Sequence, residues 1–220
     1  MKYYFTILLF LSSWLALAQY DGKFGLTLGA TNYITDTNLL SSKSGTGFTI
    51  GAMSVSEFNE NFTFVLEFNF NYHNVKFVGR ENELAEPEDL KFNLQEFSIP
   101  MTFNYFFYEV NYFKFGFNAG ASLNFIHEFN LNDESKETYV LDPLYASPND
   151  LAFDSANEEV SFNVFAAVGL CVQYDEIIMA NLKYYHGLTD PYRQAPIVGL
   201  RDEIEGQDSY FTFGLTYFFL

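Results

Sequence analysis

From residue 62 to residue 73 the chain alternates without a break: Phe62, Phe64, Leu66, Phe68, Phe70 and Tyr72 occupy one set of positions, Thr63, Val65, Glu67, Asn69, Asn71 and His73 the other. A period of two belongs to an extended strand, whose successive side chains point to opposite faces. The same alternation runs through 24 to 31, 48 to 53, 96 to 105, 113 to 125, 161 to 171, 178 to 185 and 211 to 219. In these segments Phe24, Ile50, Phe97, Phe117, Val164, Leu182 and Phe213 fall in the large apolar set, and Thr27, Thr49, Ser98, Asn118, Asn163, Asn181 and Thr212 in the small polar one. Eight strands are predicted. Beyond the first eighteen residues no run approaches eighteen consecutive apolar residues, and the 3.6-residue period of amphipathic helices is scarcely found, which argues against a helical membrane protein.

The connections alternate in length. Long ones cover 32 to 46, 79 to 91, 130 to 159 and 187 to 208, and between them stand Glu57 to Asn61, Glu109 to Tyr112 and Asp175-Glu176. Transmembrane barrels have short periplasmic turns and longer extracellular loops. The order therefore predicts an all-β fold, an eight-stranded antiparallel up-and-down transmembrane β-barrel with short periplasmic turns and long extracellular loops, both termini lying on the short-turn side.

Two orientations of the strands compete: large apolar residues outward into lipid, or inward as the core of a soluble barrel. A soluble barrel scatters lysine and glutamate over its outer face, whereas the polar set here is dominated by Gly, Thr, Ser and Asn, which suit the interior of a narrow eight-stranded barrel. Glu67, Glu96, Lys114 and Lys183 all fall in that polar set. Turned outward at the bilayer midplane, a lysine costs on the order of 2 to 4 kcal/mol and an acid somewhat less. The rings are therefore expected to face lipid. The four charges are expected inside, as a lumen polar network with a structural role, because narrow interiors satisfy buried charges by pairing them. Pro100 stands within one predicted strand and lacks the N–H that a sheet interior needs, so a local break in the ladder is expected there.

The first eighteen residues carry a single lysine, Lys2, then an apolar run from Tyr3 to Leu11 and a second from Trp14 to Ala18, closing in Ala16-Leu17-Ala18. These are the marks of a secretory signal peptide over 1–18 cut before Gln19, leaving 19–220 as one outer-membrane β-barrel domain. An uncleaved anchor is the weaker reading, since the apolar stretch is short for a membrane span. Net charge is −17 at pH 7, with 28 acidic residues against 11 Lys and Arg. Nucleic-acid binding rests on neutralising phosphates with basic residues, so nucleic acid is excluded as a partner. Cys171 stands alone, which rules out an intramolecular disulfide and a CxxC metal or redox site.

No residue is assigned to catalysis, to a cofactor or to a metal. His73, His127 and His186 sit near strand ends on the long-loop side and could approach one another, but a metal site needs suitable distances and usually a fourth ligand or water. Ser41, Ser42 and Ser44 belong to no hydrolase motif. Acidic runs at Glu81, Glu83, Glu86, Glu88 and Asp89, and at Asp202, Glu203, Glu205 and Asp208, lack EF-hand spacing and suit solvated loops. The third long loop, with Pro143, Pro148, Tyr139, Tyr145 and Phe153, is long enough to fold over the rim or meet a partner.

The segments FGLTLGATN at 24 to 32, GFTIGAMSV at 47 to 55, FVLEFNFNYHNVKF at 64 to 77, EFSIPMTFNYFF at 96 to 107, FGFNAGASLNF at 115 to 125, LKYYHGLTD at 182 to 190 and the closing FTFGLTYFFL follow one another in an order that resembles the PorT-like outer-membrane β-barrel family of Bacteroidetes-type bacteria. The resemblance implies an eight-stranded barrel in the cell outer membrane and supplies no catalytic residues; one branch of the family is linked to type IX protein secretion. The chain departs from the pattern in ending on Leu220 after Phe219 rather than on an aromatic residue. The expected function is a non-enzymatic outer-membrane protein with a structural or interaction role in the cell envelope, accessory to type IX secretion, whose partners are outer-membrane lipid and envelope or secretion-system proteins. A small-solute channel and a soluble lipocalin-type ligand-binding barrel are the alternatives.

Overall fold

The computed structural model describes residues 22–143, 162–191 and 205–219, the side chains of 126–129 excepted. The signal peptide expected at 1–18 and much of the third and fourth long loops lie outside the described residues. Ten strands follow in chain order: β1 (Gly22–Thr37), β2 (Ser42–Lys43), β3 (Gly45–Asn59), β4 (Phe62–Arg80), β5 (Glu88–Val110), β6 (Phe113–Leu131), β7 (Val140–Leu141), β8 (Phe162–Tyr174), β9 (Ile178–Gly187) and β10 (Gly206–Phe219), with one 3₁₀ turn at Glu134–Lys136. Hydrogen bonding runs antiparallel from β1 through β3, β4, β5, β6, β8, β9 and β10 and returns to β1.

The expected eight-stranded up-and-down barrel is corrected by this topology. Among the described residues the sheet holds ten strands, and the ring of hydrogen bonds passes through eight of them. The other two, β2 and β7, pair with β4 and with no other strand among the described residues. They arise because β4 outruns its neighbour: its pairing with β3 ends at Gly47↔His73, whereas its pairing with β5 continues to Gly79↔Glu88. The β3 side of residues 74–80 would otherwise expose unsatisfied backbone groups. Ser42–Lys43 and Val140–Leu141 occupy that edge instead. A two-residue strand is too short to show alternation, which is why neither could be read in the sequence.

Within the ring the large apolar residues point outward and the small polar ones inward. Leu28 is 63% exposed and Phe213 53%, while Thr27, Thr49, Ser98, Asn118, Asn163 and Asn181 are buried. The rule then reverses on the long-loop side. On β4 the outward residues from Phe62 to Tyr72 are apolar or aromatic, but beyond His73 the buried residues become Val75 and Phe77 and the outward ones Asn74 and Lys76. On β5 the same change falls between Glu96 and Leu94: Phe97, Ile99 and Phe103 face out, whereas Leu94, Phe92 and Leu90 are buried. The sequence-based strands ended too early here because an inverted alternation reads as the loss of the pattern.

The inward apolar residues form two clusters, one towards each end. On the long-loop side Tyr33, Leu40, Val75, Phe77, Leu90, Phe92, Leu94, Leu141, Phe165, Tyr185 and Tyr210 pack together. On the short-turn side Met53, Val55, Val65, Phe106, Cys171, Met179 and Phe218 do so. The loops are laced over the first cluster by backbone bonds: Ser41 N donates to Asp142 O, Val78 N to Ser41 O and Asp142 N to Val78 O.

The short links are tight hairpins. Asn111 (φ 53°), Asp175 (φ 45°) and Glu176 (φ 57°) take left-handed backbone there, a conformation that Asn and Asp tolerate better than most residues. Pro100 interrupts the β4–β5 ladder as expected: pairing runs to Leu66↔Met101 and resumes at Asn69↔Ser98 in the same register, so two rungs are missing without a bulge. On its other side Pro100 stays in register with Ser122. Close approach of strands explains Gly120, where an added Cβ would lie 2.0 Å from Met101 O.

If the projecting part of β4 and β5 is held by its own core, Phe77→Ala should cost roughly 3–5 kcal/mol locally. Limited proteolysis should then show faster cutting within residues 81–87, while the temperature at which gel migration of the folded ring changes stays the same. Unchanged cutting would disprove a separate core.

Candidate functional site

Between the two apolar clusters lies a buried polar layer, built from the inward positions of β1, β4, β5, β6, β9 and β10. Lys183 on β9 forms an ion pair with Glu67 Oε1 on β4, both side chains being about 5% exposed or less. Glu67 Oε2 also accepts from Asn69 Nδ2 at 3.2 Å. Glu96 Oε1 on β5 accepts from Asn124 Nδ2 at 2.8 Å and from Asn71 Nδ2 at 3.2 Å, and lies 3.3 Å from His73 Nε2. The other nitrogen of that ring, Nδ1, is 2.8 Å from Thr31 Oγ1. A buried charge left unpaired is expensive, and these contacts give Glu67 a cation across the interior on β9 and give Glu96 Oε1 donors on β4 and β6.

A shelf of rings closes this layer on the long-loop side. Tyr185 stacks on Tyr210 at 4.3 Å, Tyr210 on Tyr33 at 5.6 Å, and Tyr33 meets His73 at 4.5 Å. Asn124 Nδ2 also donates to Tyr210 Oη at 3.2 Å. Among the described residues this layer borders a cavity of about 20 Å³ lined by Thr49, Glu67, Asn69, Asn181 and Lys183, room for about one water.

Of the four charges expected in the lumen, Glu67 and Lys183 meet each other, Glu96 meets His73, and Lys114 sits elsewhere. Lys114 is at the short-turn rim, 4.0 Å from Glu176. Lys23 bridges Glu176 at 2.8 Å and Glu57 at 2.7 Å in the same rim cluster. In the hairpin turn, the hydrogen bond and charge of Lys23 hold the Glu176 carboxyl below its usual range. His73 lies in the polar layer rather than at a rim. His186 faces outward, 3.1 Å from Ser209 Oγ, with no carboxylate bonded to it among the described residues. The side chain of His127 lies outside the described residues. Ser42 Oγ donates to Thr35 O.

Among the described residues no group of three or more His, Cys, Asp or Glu side chains is placed to hold a metal ion. The acidic loop residues divide. Glu88 pairs with Lys136 at 2.6 Å and Asp89 with Lys43 at 2.5 Å. The hydrogen bond that Lys136 donates to Glu88, above all, raises Lys136, and the Ser135 hydroxyl and N–H lower the carboxyl of Asp133. Asp208 is an interior residue, accepting from Thr35 Oγ1 at 2.9 Å and Asn163 Nδ2 at 3.4 Å. Asp202 and Glu203 lie outside the described residues. The inward roles of Asn71, His73 and Asn124 follow from their polar positions in the alternating strands; that of Asp208 does not, because it precedes the readable alternation of β10.

An outer-membrane, all-β protein is the class that the apolar outer face and polar interior define. The model of the family described as "Outer membrane protein beta-barrel domain" matches residues 16–193, and the chain belongs to that family. It is a β-structured protein of the bacterial outer membrane. No curated protein matches it. Similar solved structures include Ail, the attachment invasion locus protein of Yersinia pestis, at 11% identity over 90% of this chain and 99% of that one, with a TM-score of 0.47. OprG from Pseudomonas aeruginosa aligns at 13% identity over 91% and 97% of the two chains, TM-score 0.47. Neisserial surface protein A does so at 13% over 89% and 97%, TM-score 0.46.

Lys183→Met alone strands the Glu67 carboxylate and should destabilise the protein by about 3–5 kcal/mol, whereas Lys183→Met combined with Glu67→Leu should recover most of that loss. Urea unfolding in lipid vesicles, followed by gel migration, provides the comparison. Strictly additive effects of the two substitutions would show that the pair is not coupled.

Proposed function

We propose that this non-catalytic outer-membrane protein is a sealed platform of the cell envelope: its outward apolar band meets lipid, and its long-loop end is presented outside the cell for interaction. One observation carries the reading. The interior is filled in three layers, apolar, polar and apolar, and the cavity in the polar layer measures only about 20 Å³. A solute path would have to cross both apolar clusters and the Glu67–Lys183 pair. The lumen polar network of Glu67, Glu96 and Lys183 then serves as a structural plug, and Lys114 secures the short-turn rim. A small-solute channel needs the open lumen that this packing removes.

The reversal of pattern beyond His73 and Leu94 supports the placement of the long loops in water. A strand that leaves hydrocarbon must exchange apolar for polar residues on its outer face, and the enclosed face is then free to build an ordinary core. An accessory role in type IX secretion is a narrower form of the same reading and rests on the sequence resemblance to the PorT-like family.

Purified protein in planar bilayers should be electrically silent, and discrete conductance steps would replace the platform with a channel. Orientation is checked separately. Leu84, 97% exposed in the loop after β4, replaced by cysteine in a Cys171→Ser background, should react with a membrane-impermeant maleimide on intact cells. Labelling only after the outer membrane is opened would invert the proposed orientation.

A further inference from the structure

Three lysines stand in one line across the projecting part of the sheet. Lys43 of β2 is directly opposite Lys76 of β4, and Lys76 is directly opposite Lys91 of β5. Like charges placed directly opposite on neighbouring strands repel, and adjacent strands are only about 4.8 Å apart. The chain has 11 Lys and Arg in all, so this rung gathers an unusual share of them. One carboxylate serves the row: Asp89 bonds Lys43 at 2.5 Å, and its carboxyl lies below the ordinary range through that hydrogen bond first, with smaller contributions from Lys76 and Lys91. Among the described residues neither Lys76 nor Lys91 has a carboxylate within ion-pair distance.

The position of the row specifies what compensates it. Lys76 and Lys91 lie on the outer face, four residues beyond Tyr72↔Gln95, where the outward apolar band ends, with Asn74↔Asn93 as the outward pair between. At about 3.3 Å per residue and a tilt near 40°, that is on the order of 10 Å above the band. Long lysine side chains can reach back from there toward the interface. Reaching back in this way, their ammonium groups would come to the level of the lipid head groups, a layer roughly 5–7 Å deep on each side.

We propose that Lys43, Lys76 and Lys91 form an outward strip that binds phosphate groups on the head of the outer-leaflet glycolipid. The proposal rests on the outward orientation of the long loops given above. Neighbouring anionic oxygens would bridge adjacent strands, removing the repulsion within the rung and fixing the height of the protein in the leaflet. Lys43, already held by Asp89, orients one end of the strip; Lys76 and Lys91 supply the charges that Asp89 leaves incompletely neutralised.

The test uses the whole chain folded in phosphatidylcholine nanodiscs, titrated with phosphorylated glycolipid and, separately, with the same glycolipid after phosphatase treatment. Retained lipid is counted by native mass spectrometry at two salt concentrations. Wild type should prefer the phosphorylated form, with weaker retention at high salt. The double variant Lys76→Gln, Lys91→Gln should lose affinity on the order of thirty-fold, as expected for two basic residues at a lipid surface. The pair Lys76→Arg, Lys91→Arg should restore it, and Lys114→Gln at the opposite rim should leave it unchanged. Heat-dependent gel migration checks that each variant is folded, and milder single glutamines at 76 and 91 should each show an intermediate loss. Equal retention by wild type and the double glutamine variant, or equal retention of the dephosphorylated lipid, would overturn the proposal. So would tighter binding of soluble polyphosphate than of the glycolipid. Labelling of the Leu84→Cys variant on intact cells, together with no phosphate preference, would sink the lysine strip while leaving the platform orientation standing.

Discussion

The polarity rule of the strands and the point at which it reverses govern the rest of this structure. A strand has two faces, and the solvent on each side decides which residues it can carry. In the ring the outer face holds Phe24, Leu28, Ile50, Phe97, Phe213 and Leu215, and the inner face carries small polar residues and a few paired charges at mid-height, with the Met53–Phe106–Phe218 cluster below them on the short-turn side. Past His73 on β4 and Leu94 on β5 the faces exchange roles. Every larger feature follows from that exchange: a polar layer at mid-height, an apolar core in the projecting strands, and a free β4 edge that loop residues occupy.

The polar layer is stable only because its charges are shared. Glu67 is held by Lys183 and Asn69, and Glu96 by Asn71, Asn124 and His73. Lys183, Asn71, His73 and Asn124 reach these carboxylates from neighbouring or facing strands, so the layer depends on the ring register. A one-residue slip would move an entire set of side chains to the opposite face. The missing rungs at Pro100 do not disturb this, because pairing resumes in the same register at Asn69↔Ser98.

At the long-loop end the packing is that of a water-soluble domain. Phe77, Leu90 and Leu141 are completely buried, and burial of side chains of this size contributes roughly 1.5–3 kcal/mol each. β2 and β7 place Leu40 and Leu141 over the same core while satisfying the β4 backbone. The price of this arrangement is the lysine row, since the short β2 strand brings Lys43 against Lys76, which already faces Lys91.

The sequence alone determined the eight long strands, the outward set of rings, the inward set of amides and hydroxyls, and the break at Pro100, because each is a local consequence of side-chain period or of proline's missing N–H. It also placed Glu67, Glu96 and Lys183 on the inner face. It did not pair them: which carboxylate meets which cation depends on strands separated by long stretches of chain, and Lys114, in the same phase, is carried to the rim by its position along β6. Nor could it disclose β2 and β7, or the extra length of β4 and β5, since a two-residue strand has no period and an inverted one looks like a loop. Those features were decided by the tertiary structure, in which the unmatched edge of one long strand had to find hydrogen-bond partners wherever the chain could supply them.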